Sequence, residues 1–251
     1  MIDVKTENGI AIVTIKHGKA NALDMELSEE LNACFAQLET APARAAVITG
    51  HERMFSAGVD LIRINSGGAD YVRKFLPVLN RSFEAIFFHP KPLVAAINGH
   101  AVAGGCVLAC CADRRLMARG AARIGVTELL VGVPFPAIAF EAVRLAVPSR
   151  HLAGLMYGGA TCDPDTALQL GWVEDVVEAD ALMPAAIAAA QELARLSPVA
   201  FAETKKQLRA EIRERLARES AEADKLAADI WAAPETLQYV RDYVARTLKK
   251  A

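Results

Sequence analysis

The chain has 251 residues, a formal net charge of −2 and a pI near 6.2, so nothing electrostatic points to nucleic acid or an anionic membrane as partner. Hydrophobic residues make up 53% and can fill one large core, yet the longest uncharged apolar run, residues 101–112, is too short to span a bilayer. Five cysteines form no C-x-x-C pair and no ligand-like spacing with histidine, so reduced thiols, no metal and a soluble, cytoplasmic protein without a signal peptide are expected.

Taken in chain order, Ile2–Glu7 and Ile10–Ile15 flank Asn8-Gly9, a strong hairpin signal. Asp24 can cap a helix through Leu27, Leu31, Phe35 and Leu38, which recur at helical spacing. Ala45–Thr49 reads as a buried strand ended by Gly50, and the Gly67-Gly68 pair as a break before a helix over residues 71–88. Leu93–Ile97 is a second buried strand, followed by a loop from Asn98 to Val107 and a strand near residues 115–118. Beyond Pro136 the pattern is almost wholly helical: 137–147, 149–157, 163–170, 180–196, 199–216 and two further segments after Ser220. Strands alternating with helices and then a helical tail read as α/β. The mixed-sign charges of residues 203–225 read as a solvated helix face.

Two small-residue turns, Ala57-Gly58 and Gly104-Gly105, carry candidate chemistry. Each offers backbone N–H groups with no bulky side chain in the way, and two converging donors make an oxyanion hole. Between Gly99 and Ala112 there is no Asp or Glu, so the second turn can polarise an oxygen but supplies no carboxylate.

Phe55-Ser56-Ala57-Gly58-Val59-Asp60-Leu61 resembles the F-x-A-G-x-D-[LI] signature of the crotonase (enoyl-CoA hydratase/isomerase) superfamily. The stretch from Pro92 through Asn98-Gly99-His100-Ala101-Val102-Ala103-Gly104-Gly105-Cys106 resembles its second signature, and Asn21-Ala22-Leu23 its early N-A-[LF] element. Further on, Ala167-Leu168-Gln169-Leu170-Gly171-Trp172-Val173 with Val176-Val177, and Ser197-Pro198 before a Lys-bearing helix, are similar to later family segments. The resemblance implies a crotonase-type (ClpP-like) spiral of ββα units over residues 1–195. It implies a C-terminal helical region, 196–251, for trimerisation and pocket cover, giving a homotrimer or a dimer of trimers. It also implies an acyl-CoA substrate, with coenzyme A present only as part of the thioester and no other cofactor. The oxyanion hole would be the N–H groups of Ala57 and Gly104, and Gly58, Asp60, Leu61, Val107 and Phe135 would touch substrate.

Hydratases of the family resemble one another in carrying two glutamates. The first position is Val107 here; the second falls in Gly125-Val126-Thr127-Glu128 and is Glu128. Adding water needs the nucleophile held and deprotonated while a proton is delivered elsewhere, and valine accepts no hydrogen bond. One carboxylate facing an oxyanion hole suffices to move a proton from one carbon to another. The expectation is therefore an enoyl-CoA isomerase that shifts a double bond from C3 to C2, with Glu128 as proton shuttle. A hydratase of unusual specificity and a non-catalytic acyl-CoA-binding homologue remain as alternatives. Val107, Leu129 and Phe135 are expected to enclose Glu128 and raise its pKa. A second acid after the retained glutamate, as in dienoyl-CoA isomerases, would stand at Pro136 and is absent; Glu52 and Glu141 are the other acids that folding could bring near. His100, inside the second turn, reads as packed or solvated in preference to catalytic.

Overall fold

The computed structural model describes residues 1–247; the last four residues of the expected C-terminal region lie outside the described residues. The chain opens with β1 (Ile2–Glu7) and β2 (Ile10–Ile15), paired antiparallel with Glu7 opposite Ile10. Asn8 and Gly9 turn the hairpin with φ of 51° and 79°, the left-handed pair that a two-residue loop requires. α1 (Met25–Thr40) begins where Asp24 accepts the Leu27 N–H at 2.8 Å, and it buries Leu27, Leu31, Phe35 and Leu38.

One unit is then repeated three times. β3 (Ala45–Thr49), β4 (Met54–Ser56) and α2 (Leu61–Phe87) form the first, β5 (Leu93–Ile97), β6 (His100–Val102) and α3 (Gly104–Cys110) the second. The third is β7 (Arg114–Ala118), β8 (Ile124–Gly125) and α4 (Glu128–Val131). The first strands of the units lie parallel as β3-β5-β7 inside a six-stranded sheet that β1 and β2 begin and β9 (Asp175–Val177) ends. The second strands stack, also parallel, in a separate sheet β4-β6-β8. Each unit therefore advances one strand in both sheets, which is the expected ββα spiral.

Three helices, α5 (Ala137–Ala146), α6 (Ser149–Gly158) and α7 (Pro164–Leu170), separate β8 from β9. α8 (Leu182–Ala194) then packs Leu182, Ala186 and Ala190 against one face of the large sheet; the main core fills the other. That two-sided cover is why β3 and β5 are buried along their whole length and read as continuous apolar runs. α9 (Pro198–Leu208), α10 (Ala210–Trp231) and α11 (Pro234–Thr247) complete the described chain. Among the described residues no helix is long and apolar enough to cross a membrane.

Three expectations need correction. α2 starts at Leu61, because the Asp60 carboxylate accepts the N–H groups of Ile62 and Arg63; Gly68, at φ 58° and ψ −151°, kinks this helix instead of separating it from what precedes. α10 is continuous through Ser220, the break lying at Arg209. Finally, the charged stretch 203–225 is not uniformly solvated. Lys205 and Arg209 are buried and bind the two oxygens of Asp113 at 2.7 and 2.8 Å, where Asp113 also accepts the Leu93 N–H.

Candidate active site

The functional positions lie at equivalent places in the three repeated units, where the second strand gives way to the helix. These are Val59-Asp60 after β4, Ala103-Gly104 after β6, and Thr127-Glu128 after β8. Pairing of Ser56 with Ala101, and of Ala101 and Val102 with Ile124 and Gly125, stacks the three turns. The asymmetric placement of glycine lets them approach. A Cβ on Gly58, whose φ is +83°, would stand 2.7 Å from the Val102 carbonyl and 2.9 Å from Gly104 N. A Cβ on Gly105 would stand 2.2 Å from the Ser56 carbonyl. Ala103 itself holds φ 51° and ψ −125°, a strained conformation for alanine, pinned by its N–H on the Gly125 carbonyl at 2.9 Å.

The hydrogen bonds at these turns decide which donors are available. The Ala57 N–H donates to the Ala20 carbonyl at 2.9 Å, so it cannot serve as an oxyanion donor as expected. Leu23 bridges to Val59 through Leu23 N–H on the Gly58 carbonyl and Asp60 N–H on the Leu23 carbonyl, which leaves the Val59 N–H between them with no acceptor among the described residues. Gly104 opens α3, where an N–H has no intrahelical partner. A Cβ on Gly104 would lie 3.6 Å from Val59 N, so these two unpartnered groups sit side by side. The unpartnered pair of candidate donors is Val59 and Gly104. The first of these stood inside the F-x-A-G-x-D match, but the pattern alone does not say which of its amides is tied to residue 20.

Both residues line a cavity of about 710 Å³, with Ala57, Asp60, Leu61 and Val107. Gly58 is buried between the turns and acts on the cavity through their spacing. Leu79, Phe83, Val131, Val133 and Ala139 make the rest of the wall apolar, and Lys19 and His100 contribute polar groups. His100 accepts the Arg123 N–H on Nδ1 at 3.2 Å. A neutral ring so bound keeps its proton on Nε2 and has no lone pair left to act as base.

Glu128 reaches the same cavity and is only 8% exposed. Its Oε2 has no hydrogen-bond partner. Burial pushes its pKa up to about 7, against the opposing pull of the backbone N–H groups of Glu128 and Thr127. The direction expected holds, but the enclosing residues differ. Val107 is there, whereas Leu129 is 45% exposed and both Leu129 and Phe135 line a separate cavity of about 480 Å³. In place of Phe135, Val133 and Pro136 face the site, because Trp231 of α10 sits on this side and its Nε1–H donates to the Pro134 carbonyl at 2.9 Å. Trp231 and Tyr243, from the C-terminal helices, were not foreseen as lining residues; a tryptophan ending a helix as charged as α10 was the available signal.

The remaining acids are accounted for. Asp60 is the other carboxylate of the cavity among the described residues, and it is held as the α2 cap. Glu141 is buried but bound to Arg144 at 2.6 Å and Arg215 at 3.0 Å, beside Phe135. Glu52 is exposed on a turn outside the cavity. The arrangement thus offers one unpaired, buried carboxyl whose pKa burial pushes up to about 7, lining the same apolar chamber as two backbone donors.

The sequence profile of the enoyl-CoA hydratase/isomerase family matches residues 5–244. The (E)-benzylidenesuccinyl-CoA hydratase of Thauera aromatica is 31% identical over 211 residues, covering 81% of this chain and 80% of its own length. The short-chain-enoyl-CoA hydratase of Clostridium acetobutylicum is 30% identical over 200 residues, covering 78% and 76%. Among solved structures, the human mitochondrial delta3-delta2-enoyl-CoA isomerase superposes with a TM-score of 0.92 at 25% identity, over 99% of this chain and 98% of that one. Spiral, stacked turns and sequence agree: the chain belongs to the enoyl-CoA hydratase/isomerase family, the crotonase superfamily.

Proposed function

We propose that this protein is an acyl-CoA isomerase that shifts a double bond from C3 to C2 of an enoyl-CoA, with Glu128 as its single proton shuttle. The observation that carries the reading is the isolation of Glu128: one buried carboxyl with an unpartnered oxygen, and no second free acid among the described residues of the cavity. The thioester oxygen sits against the N–H groups of Val59 and Gly104. Ionised Glu128 removes a proton from C2, the electron pair moves into the thioester, and those two donors hold the developing oxyanion. The electrons then return through C2 and C3, and protonated Glu128 delivers the proton to C4. The same group serves in both steps, which a pKa near 7 suits, since the carboxyl is both an adequate base and an adequate acid at neutral pH.

Val107 supports isomerisation over hydration, because a valine in the wall of the same cavity gives an attacking water nothing to bind. The likeness to the human isomerase over nearly the whole chain favours the same reading. The hydratase names of the curated relatives favour the second one, a hydratase that positions water with Glu128 alone. Supplying trans-3- and trans-2-enoyl-CoA separately distinguishes them. Conversion of the first to the conjugated thioester without 3-hydroxyacyl-CoA is expected. Rapid hydration of the second would replace the isomerase reading, and tight binding with no turnover of either would leave an acyl-CoA-binding protein.

The same reading takes residues 1–195 as the catalytic spiral and the helices from 196 onward as pocket cover and oligomer contact. Exposed Leu129, Phe140 and Tyr157 line the second cavity and supply an apolar face for a homotrimer or a pair of trimers. Light scattering at micromolar concentration reads the assembly directly; a monomer would remove this part of the proposal.

A further inference from the structure

Glu128 stands on a helix of one turn, with the chain reversing at Gly132 and running without regular structure to Pro136. Such a segment has few hydrogen bonds of its own to hold a side chain to the tolerance that proton transfer needs. Its supports come from the far end of the chain. Trp231 Nε1–H donates to the Pro134 carbonyl at 2.9 Å, and the Asp224 carboxylate accepts the Ala137 N–H at 2.8 Å. Gly132 packs against Tyr239, its missing Cβ position 3.4 Å from the tyrosine Cβ. Trp231 is unlike the other two clamps in also lining the substrate cavity, while being only 4% exposed. One side chain therefore bounds the acyl chamber and fixes the loop that carries the base.

We propose that Trp231 is both a positioning residue for Glu128 and the residue that limits acyl length: its indole closes the chamber, and its Nε1–H on Pro134 transmits any displacement of that wall to the Glu128 segment. An acyl group too long for the chamber pushes the indole, and Glu128 leaves its working position. A group of the right length leaves the clamp closed. The proposal rests on the isomerase reading only for the name of the reaction, since the clamp holds Glu128 whichever reaction it serves.

The test compares the wild type with Trp231→Phe, which keeps a ring but loses the donor, and Trp231→Ala, which opens the wall. With trans-3-hexenoyl-CoA, Trp231→Phe is expected to lower kcat about 10–100-fold while KM stays within about twofold, the signature of misplacement instead of lost binding. Trp231→Ala is expected to raise the ratio of kcat/KM for trans-3-dodecenoyl-CoA over the hexenoyl substrate. Hexanoyl-CoA, which cannot react, supplies a reading independent of chemistry. It should change the tryptophan emission of the wild type and not that of Trp231→Phe, where only the fully buried Trp172 is left. An unaltered kcat in Trp231→Phe, an unaltered length ratio in Trp231→Ala, or a ligand response that survives in Trp231→Phe would each overturn the proposal. Should neither Trp231 variant fold, Asp224→Asn and Asp224→Ala test the clamp. Asparagine keeps an acceptor for the Ala137 N–H and should restore the kcat that alanine loses; equal kcat in both would sink it. If the wild type hydrates trans-2-hexenoyl-CoA and shifts no double bond, the isomerase reading fails alone, and the same kcat and emission comparisons are made on hydration.

Discussion

Two carboxylates of this chain, partly buried Asp113 and buried Glu128, meet their surroundings in opposite ways. Asp113 lies under α9 and is surrounded by donors: Lys205 Nζ, Arg209 Nη2 and the Leu93 N–H, all within 2.9 Å. Glu128 lies in the cavity with an oxygen that meets no donor. Desolvation raises the free energy of an ion that lacks partners. At Asp113 two buried cations and a backbone N–H surround the carboxylate. At Glu128 nothing offsets desolvation fully, and the proton becomes exchangeable near pH 7. A satisfied acid ties elements of the fold together; an unsatisfied one, in a cavity shared with two unsatisfied N–H groups, is a candidate for chemistry.

Replacing each acid in turn should separate the two roles. Glu128→Gln keeps shape and removes the proton shuttle, so turnover is expected to fall by about 10²–10⁴-fold. Its unfolding midpoint in urea at pH 8 should equal or exceed that of the wild type. A variant within about tenfold of wild-type turnover would take the base out of the site. Asp113→Asn reverses the pattern. It leaves Lys205 and Arg209 buried without a counter-ion, which costs on the order of 3–5 kcal/mol of stability. The fraction still folded should turn over substrate at close to the wild-type rate. A large loss of kcat with little loss of stability would mean that this cluster is coupled to the site after all.

Much of this contrast was open to reading in the residue order, and its gaps are physical. Ala45–Thr49 and Leu93–Ile97 announce themselves because strands covered on both faces are apolar throughout. β4, β6 and β8 are three, three and two residues long, too short for any periodicity, and they look like loop until the stacking of units is known. Glu128 and Gly104 are singled out by their motifs, and both line the cavity. Val59 was not distinguishable from Ala57, because the difference is one hydrogen bond to residue 20, set by the approach of a distant segment. Lys205 and Arg209 looked like an exposed helical face, since nothing local records that Asp113 lies beneath them. Trp231 reaches the site only because α10 crosses the Pro134 loop. Motifs thus disclosed the family and the candidate acid, and tertiary contacts decided which backbone donors are left unpartnered.

A smaller effect tests whether the titration of Glu128 governs rate. With its carboxyl held near pH 7 in the free protein, the ionised base is scarce at low pH. kcat/KM for isomerisation should therefore rise about tenfold per pH unit below 7 and level off above it. A limb centred near 4.5, the ordinary carboxyl value, would show that burial does not control the base.

The smallest expected effect concerns stability, and it requires the Glu128 variant to be visible. His89 is fully buried with neither ring nitrogen hydrogen-bonded, set edge-on to Phe35 at 5.4 Å, and burial pushes its pKa down to about 3. In the unfolded chain it takes a proton near 6.5, so as pH falls below that value the unfolded state binds more protons and stability is lost. Glu128 acts in the opposite sense. Its folded pKa is raised, so the folded state binds more protons between about 4.5 and 7, and stability is gained as pH falls through that window. Glu84 and Asp224, also raised, add to the gain in every variant and cancel in comparisons between them. In the wild type the two slopes oppose each other from pH 6.5 to 5. In Glu128→Gln the histidine slope stands uncovered, and urea midpoints should fall more steeply with acidification than in the wild type. Adding His89→Leu should flatten that slope again. If Glu128→Gln and the wild type trace parallel curves over this range, the carboxyl of Glu128 is not raised in the folded protein, and the contrast with Asp113 collapses to one of position alone.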